Sequence, residues 1–393
     1  MIQYNFAKTQ STSSRILAAI KHFNTVSIKS ISKSCDLSVP MVTRYVDAML
    51  QEGLLTGENT TVAAVGRKPK LFSLNANYGY IIGVELGLLH VAKIGVFAFD
   101  GGLAASTTVK YIPSWSPDEI MDNILIAIER LINANLFNKI LYIVLGNPGV
   151  VDPESGTMTL AAQFASWSTL PLRQIFMNKF NVPVEVINDV NLAAIGEKEY
   201  GVGVGYSNFV FIRLSLGLKA GIILRNRLYQ GESYAAGEIG GCMISTTENG
   251  NVVYKKAEQC LCLPAIYEKI AAKLGDDPND IFYTITGGDP NNVTADNIAK
   301  ALSTDSYVGN HIAESGKLLG YMLANVVSTL DIDLIILGGD VTKFNNYFIK
   351  PVRDILSECL ISQPAVLKSS LGDDVALYGA FAVGLEGALT NMT

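Results

Sequence analysis

The chain has 393 residues, 49% of them apolar and 17% charged, with a formal net charge of −6, and that length exceeds one ordinary compact core, so two or three domains are expected. The longest uncharged apolar run, residues 318–330, has 13 residues against the roughly 20 a bilayer requires, which excludes a membrane-spanning helix and a membrane partner. The polar stretch through Ser14 carries no secretory-leader pattern, and the scattered Cys35, Cys242, Cys260, Cys262 and Cys359 suggest no disulfide framework, so a reducing cytoplasm is expected.

Residues 12–23 place Ile16, Leu17, Ile20 and Phe23 on one face behind a Ser/Thr cap region, which predicts a first helix. Residues 27–35 predict a second, short helix with Ile28 and Ile31 inward, followed by the turn Asp36-Leu37-Ser38. Ser38 is a good N-cap and Pro40 is tolerated in a first helical turn. Val42, Tyr45, Val46, Met49 and Leu50 then form an apolar stripe, leaving Met41, Thr43, Arg44 and Asp47 on the opposite face. Two helices joined by a tight turn, the second polar on its outer face, is the helix-turn-helix arrangement whose second helix enters the major groove. Leu54 and Leu55 lead into a Thr-rich hairpin closing with Gly66-Arg67-Lys68-Pro69-Lys70, a wing whose cations suit phosphates or a minor groove.

Charge agrees with this division. Residues 1–72 carry nine Lys and Arg against four Asp and Glu, a net of +5, whereas the remainder carries 21 against 32, a net of −11. A basic head on an acidic body points to a nucleic-acid contact confined to the head. The candidate DNA contacts are Ser38, Met41, Thr43, Arg44, Arg67 and Lys68. A winged helix used for protein contacts, or a basic surface that is merely solvated, is the competing reading.

From Tyr78 the pattern changes to strands, over residues 80–84, 90–99 and 104–111. The turn between the first two is Glu85-Leu86-Gly87-Leu88-Leu89. Residues 116–135 predict an amphipathic helix capped by Ser116. Residues 139–145 predict a buried strand that ends in Gly146-Asn147-Pro148-Gly149. Residues 184–187 read as another buried strand and Asn191 onward as a helix, so Asn188 and Asp189 stand at a strand end, where α/β sheets hold ligands. A carboxylate beside an amide can grip neighbouring hydroxyls; Asp189 as a plain helix cap is the alternative. A weak internal repeat follows, since residues 209–231 echo 80–102, and residues 334–337 end in Gly338-Gly339-Asp340. Two similar α/β lobes with a cleft between them are expected.

Taken in order, the helix-turn-helix, Gly66-Arg67-Lys68-Pro69, Gly146-Asn147-Pro148-Gly149, Asn188-Asp189-Val190-Asn191, Gly237-Glu238-Ile239-Gly240 and Leu337-Gly338-Gly339 make nearly the whole chain resemble the ROK family of repressors, open reading frames and kinases. The resemblance implies an α/β, two-lobed sugar-kinase/actin-like (ribonuclease H-like) sensor over residues 76–393, preceded by a winged helix-turn-helix DNA-binding domain over residues 1–75. It makes Asp189 the counterpart of the base that deprotonates the sugar in family kinases. It also makes Asn147, Asn188, Glu238 and Glu268 sugar-binding candidates, and it includes Gln163, where the family usually has Asn four residues before Trp167.

Two family devices are altered. The phosphate turn, Asp-x-Gly-Gly-Thr in family kinases, is Glu85-Leu86-Gly87-Leu88-Leu89 here, and the Gly-rich turn of the second lobe is Ser215-Leu216-Gly217-Leu218-Lys219. Phosphoryl transfer rests on positioning and charge, so loss of both turns predicts no catalysis and no cofactor. The family zinc motif has Gly241 in place of its His, keeps Cys260 and Cys262, and lacks the third Cys. A zinc held by Cys242, Cys260 and Cys262 competes with three ordinary buried thiols. The expected function is a sugar-responsive regulator, a repressor of carbohydrate-utilisation genes, that binds operator DNA as a homodimer or homotetramer and answers to a sugar or sugar phosphate. An ATP-dependent hexose or N-acetylhexosamine kinase with a fused head is the alternative, and a sensor that binds only a protein partner is a third.

Overall fold

In a computed structural model the described residues are 11–23, 25–59, 70–87, 91–112, 114–153, 155–160, 170–248, 250–272, 274 and 281–392. The head comprises α1 (Thr12–Phe23), β1 (Val26–Ser27), α2 (Ile28–Cys35), α3 (Val39–Gln51), β2 (Leu55–Asn59) and β3 (Lys70–Leu74), with the strands in the order β1-β3-β2. Its core is Ile16, Leu17, Ile20, Ile31, Val42, Val46 and Met49 from the helices, closed by Phe72 and Leu74 from β3. Ser27, expected to open the second helix, instead pairs with Leu71 as a strand residue, and its side chain accepts from the Ser30 N–H as the N-cap of α2. The short strand wins because Val26 is buried beneath Phe72, its register partner. Asp36 ends α2 in the left-handed region at φ 51°, which turns the chain into α3.

The chain separates into two units. Residues 1–189 and 380–393 form the first, and residues 190–379 the second. Beyond the head, the first unit holds β4 (Tyr80–Leu86), β5 (Val91–Ala98), β6 (Leu103–Lys110), α4 (Pro117–Asn135), β7 (Ile140–Asn147), β8 (Val150–Val151), β9 (Met158–Leu160), α5 (Leu172–Phe180) and β10 (Val184–Asn188). The sheet runs β10-β7-β4-β5-β6, parallel from β10 to β4 and antiparallel from β4 to β6. Helix α4 begins with a reciprocal cap, as Ser116 predicts: its hydroxyl accepts from the Glu119 N–H, and the Glu119 carboxylate accepts from the Ser116 N–H at 2.7 Å.

The second unit takes up the chain within α6 (Asp189–Tyr200) and continues with β11 (Phe209–Leu214), β12 (Leu218–Leu224), β13 (Arg227–Tyr229), the separate ribbon β14 (Met243–Glu248) and β15 (Asn251–Lys256), then α7 (Glu258–Leu261), α8 (Leu263–Ala271), α9 (Ile281–Thr286), α10 (Ala295–Ala301), α11 (Ser306–Leu330), β16 (Leu334–Gly338), α12 (Asn345–Cys359) and β17 (Ala365–Lys368). Helix α13 (Val375–Asn391) returns the chain to the first unit at Ala380. This sheet runs β13-β12-β11-β16-β17, with β11, β16 and β17 parallel. Its strands follow the same order as those of the first unit, so the weak sequence repeat is a structural one. No helix among the described residues is long and apolar enough to cross a membrane.

A short connection joins the head to the first sheet. The Asn75 side chain donates to the Gly53 carbonyl at 2.8 Å and its N–H to Leu54 at 2.9 Å. Three residues on, the Tyr78 ring tilts against Phe99 at 5.0 Å and carries the Lys139 ammonium 3.6 Å from its centre. The head is therefore tethered to the sheet by packed and hydrogen-bonded residues rather than by a loose linker.

Candidate functional site

In the head, Ser38 caps α3, accepting from the Met41 N–H at 3.4 Å, and the Thr43 hydroxyl is spent on the Val39 carbonyl at 2.9 Å. Met41 and Arg44 are exposed on the outer face, and the Arg44 guanidinium lies 5.2 Å from the centre of the Tyr45 ring. Val39, Pro40, Thr43, Arg44, Asp47 and Gln51 line a shallow concavity of about 710 Å³ on this face. Arg67 and Lys68 lie outside the described residues, and Lys70 is exposed at the start of β3. Lys29 and Lys33 are exposed on α2.

The first unit brings three predicted residues together at the ends of parallel strands. Asn147 closes β7 and is the register partner of Asn188, which closes β10. Asp189 follows immediately, 2% exposed, as the first residue of α6, so the helix begins two residues earlier than expected. The Asn188 amide donates to the Gly149 carbonyl at 2.8 Å, fixing its rotamer. Asn147 is wholly buried, and neither its amide nitrogen nor its oxygen has a hydrogen-bond partner among the described residues. A buried amide left unsatisfied costs about 1–3 kcal/mol, so this one is a standing demand for a donor and an acceptor. Gln163 lies outside the described residues.

Glu85 sits one strand away, buried, opposite Gly146 on β7 and Lys93 on β5. At the turn that follows, the Gly87 N–H donates to the Val91 carbonyl at 3.0 Å and the Gly87 carbonyl accepts from the Tyr111 hydroxyl at 2.7 Å. Tyr111 is buried, which pushes its pKa up to about 12 and keeps it a neutral donor. Gly87 therefore has its N–H engaged within the hairpin and not offered to a phosphate. Leu88 and Leu89 lie outside the described residues, while Leu86 faces the core.

The corresponding turn of the second unit is also closed on itself. The Ser215 N–H donates to Gly217 at 3.0 Å, and its hydroxyl donates to the Asp340 carboxylate at 2.9 Å. Asp340 pairs with Lys343 at 3.1 Å, which reaches Asp296 at 3.0 Å. A carboxylate at the end of β16 opposes an incoming phosphate. Glu238 stands before a short turn of residues 239–241 and accepts from Lys219 at 2.8 Å. Glu268 is exposed on α8.

Cys260 is buried, Cys262 half-buried and Cys242 exposed, so the thiols do not form one buried set. No group of three or more His, Cys, Asp or Glu side chains able to hold a metal occurs among the described residues. These residues do not fit the family zinc. Metal analysis of chelator-free protein is expected to return well under one zinc per chain; a stoichiometric, tightly held zinc would mean that Cys242 is recruited.

The ROK family profile matches residues 81–386. The xylose repressor of Caldicellulosiruptor bescii is 27% identical over 388 residues, 95% of each chain. The glucokinase of Streptomyces coelicolor is also 27% identical, over 326 residues that cover 78% of this chain and 98% of the enzyme. Among solved structures, a ROK family transcriptional regulator, a homolog of the E. coli MLC protein, superposes with a TM-score of 0.79 at 22% identity over 97% of both chains. Because the profile spans both repeated sheets and the residues between them, this chain belongs to the ROK family.

Proposed function

We propose that this chain is a sugar-responsive transcriptional repressor whose winged head binds operator DNA and whose kinase-like sensor binds a sugar without phosphorylating it. The observation that carries the reading is the extent of the match. Similarity to a xylose repressor runs over 95% of the chain, a span that takes in head and sensor together. Similarity to a glucokinase accounts for nearly all of that enzyme yet only 78% of this chain. Xylose is accordingly the first effector to test, with Asn147, Gln163, Asn188, Asp189, Glu238 and Glu268 as the residues that read its hydroxyls. Asn147 supports the assignment most directly, because a sugar hydroxyl both donates and accepts and can answer both halves of its amide.

On DNA, Ser38, Met41, Thr43 and Arg44 face the major groove, and Arg67, Lys68, Lys29 and Lys33 contact phosphates. A homodimer suits a two-fold operator with half-sites about 34 Å apart or a multiple of that spacing. The sugar changes operator affinity only through a difference in its own affinity for the DNA-bound and free states.

The rival is an ATP-dependent sugar kinase with a head attached. Both turns that would cradle phosphate are hydrogen-bonded within themselves, which opposes it. A coupled ADP-release assay over xylose, glucose and N-acetylhexosamines is expected to give no turnover. Rates of roughly 1–100 per second, ordinary for kinases, would sink the regulator-only reading.

A further inference from the structure

We infer that Lys219 is a sugar-binding residue acting beside Glu238, an inference that rests on the sugar-site reading above. Its motive is a pair built by the backbone rather than by chance at a surface. The turn carrying Glu238 lies directly on the start of β12: a Cβ at Gly237 would stand 1.9 Å from the Ala220 carbonyl oxygen, and one at Gly240 would stand 2.7 Å from that of Leu218. Gly237 has φ +94°, and its carbonyl accepts from the Ala220 N–H at 2.8 Å. Two glycines thus pin the turn on either side of Lys219, and the ammonium meets Glu238 Oε1 at 2.8 Å.

The charge of Lys219 needs a reason. Its register partner across the hairpin is Arg213, a like charge, and its own ammonium is answered by the Glu238 carboxylate. The side chains of Lys219 and Glu238 keep 25% and 38% of their surface exposed, and an ion pair so wetted contributes little to folding. As a ligand set it does more. An ammonium has three N–H donors and spends one on Glu238; two remain to donate to hydroxyl oxygens, while the carboxylate accepts hydroxyl protons. Adjacent hydroxyls of a sugar require both. A ligand entering here exchanges water for a donor and an acceptor already held in place, which limits the ordering cost of binding.

The test is calorimetric titration of the full-length protein with D-xylose and D-glucose, using wild type, Lys219→Met, Lys219→Arg and Glu238→Gln, with operator affinity and melting temperature as controls. Lys219→Met is expected to weaken sugar binding at least tenfold, Lys219→Arg to stay within about threefold of wild type by retaining the donors, and both to keep wild-type operator affinity. Monodeoxy sugars supply the readout that a structural role would not move. One deoxy analogue should bind wild type more weakly than its parent yet bind Lys219→Met as well as its parent does, because the hydroxyl read by Lys219 is then already lost. Unchanged or tighter binding by Lys219→Met, alongside a loss in Glu238→Gln, overturns the role of Lys219 alone. Unchanged binding by Glu238→Gln, or no binding of either sugar by wild type, overturns the sugar site and the inference with it.

Discussion

Asp189→Ala and Asn147→Leu are each expected to abolish the sugar response of operator binding while leaving affinity for the operator itself unchanged. A coupling of typical size, 1–3 kcal/mol, makes the wild-type response roughly 5- to 150-fold, so its loss is easily read by fluorescence titration of labelled operator with and without xylose. The two variants differ in stability, and that difference tests the physical reading. Asp189 is a 2%-exposed carboxylate in the first turn of α6, where a negative charge favours the helix, so its removal costs stability. Asn147 carries an amide whose donor and acceptor both lack a partner among the described residues in a fully buried position. Replacing it with an apolar side chain of similar size removes that penalty, so Asn147→Leu should be at least as stable as wild type without sugar while failing to respond to it. Should Asp189→Ala release operator on adding xylose as wild type does, the pocket does not lie at the ends of β7 and β10.

Arg44→Ala is expected to cut discrimination between operator and random DNA by about 1–3 kcal/mol, or roughly 5- to 150-fold, the value of one bidentate contact with a guanine edge. Arg44 is exposed on the outer face of α3, one residue from the half-buried Tyr45, whose ring it flanks, and that contact limits the rotamers its guanidinium samples. Arg67→Ala should behave differently, weakening binding to all sequences alike and reducing the slope of affinity against salt by about one, as expected of a phosphate contact. Salt titrations on specific and random duplexes separate the two patterns. If Arg44→Ala lowers both affinities equally, Arg44 grips the backbone and base reading falls to other residues of α3. The sugar response should survive in both variants, since the described connection between head and first sheet runs through Asn75, Tyr78 and Lys139.

The sequence by itself determined the local elements and the kind of protein. Helix α3 was legible because a 3.6-residue apolar period and the Ser38 cap lie within a few positions of each other, and the Ser116–Glu119 box at α4 is equally local. The repeated strand–turn–strand pattern made two similar lobes legible, and both sheets carry the same strand order. What only the tertiary structure decided are partnerships between distant residues. Whether Asn147 spends its amide on a neighbour depends on every group that surrounds the end of β7, and none of the described residues supplies a partner. The N–H groups of Gly87 and Ser215 are engaged locally, by Val91 and Gly217, but that the Gly87 carbonyl is held by Tyr111, 24 residues away, and the Ser215 hydroxyl by Asp340, 125 residues away, follows from hydrogen bonds that no short window contains. Lys219 looked like one more lost glycine of a phosphate turn. The Gly237–Gly240 backbone lying against β12 sets Lys219 beside Glu238, and such close approach of two main chains is set by the fold and leaves no periodic signal in the sequence.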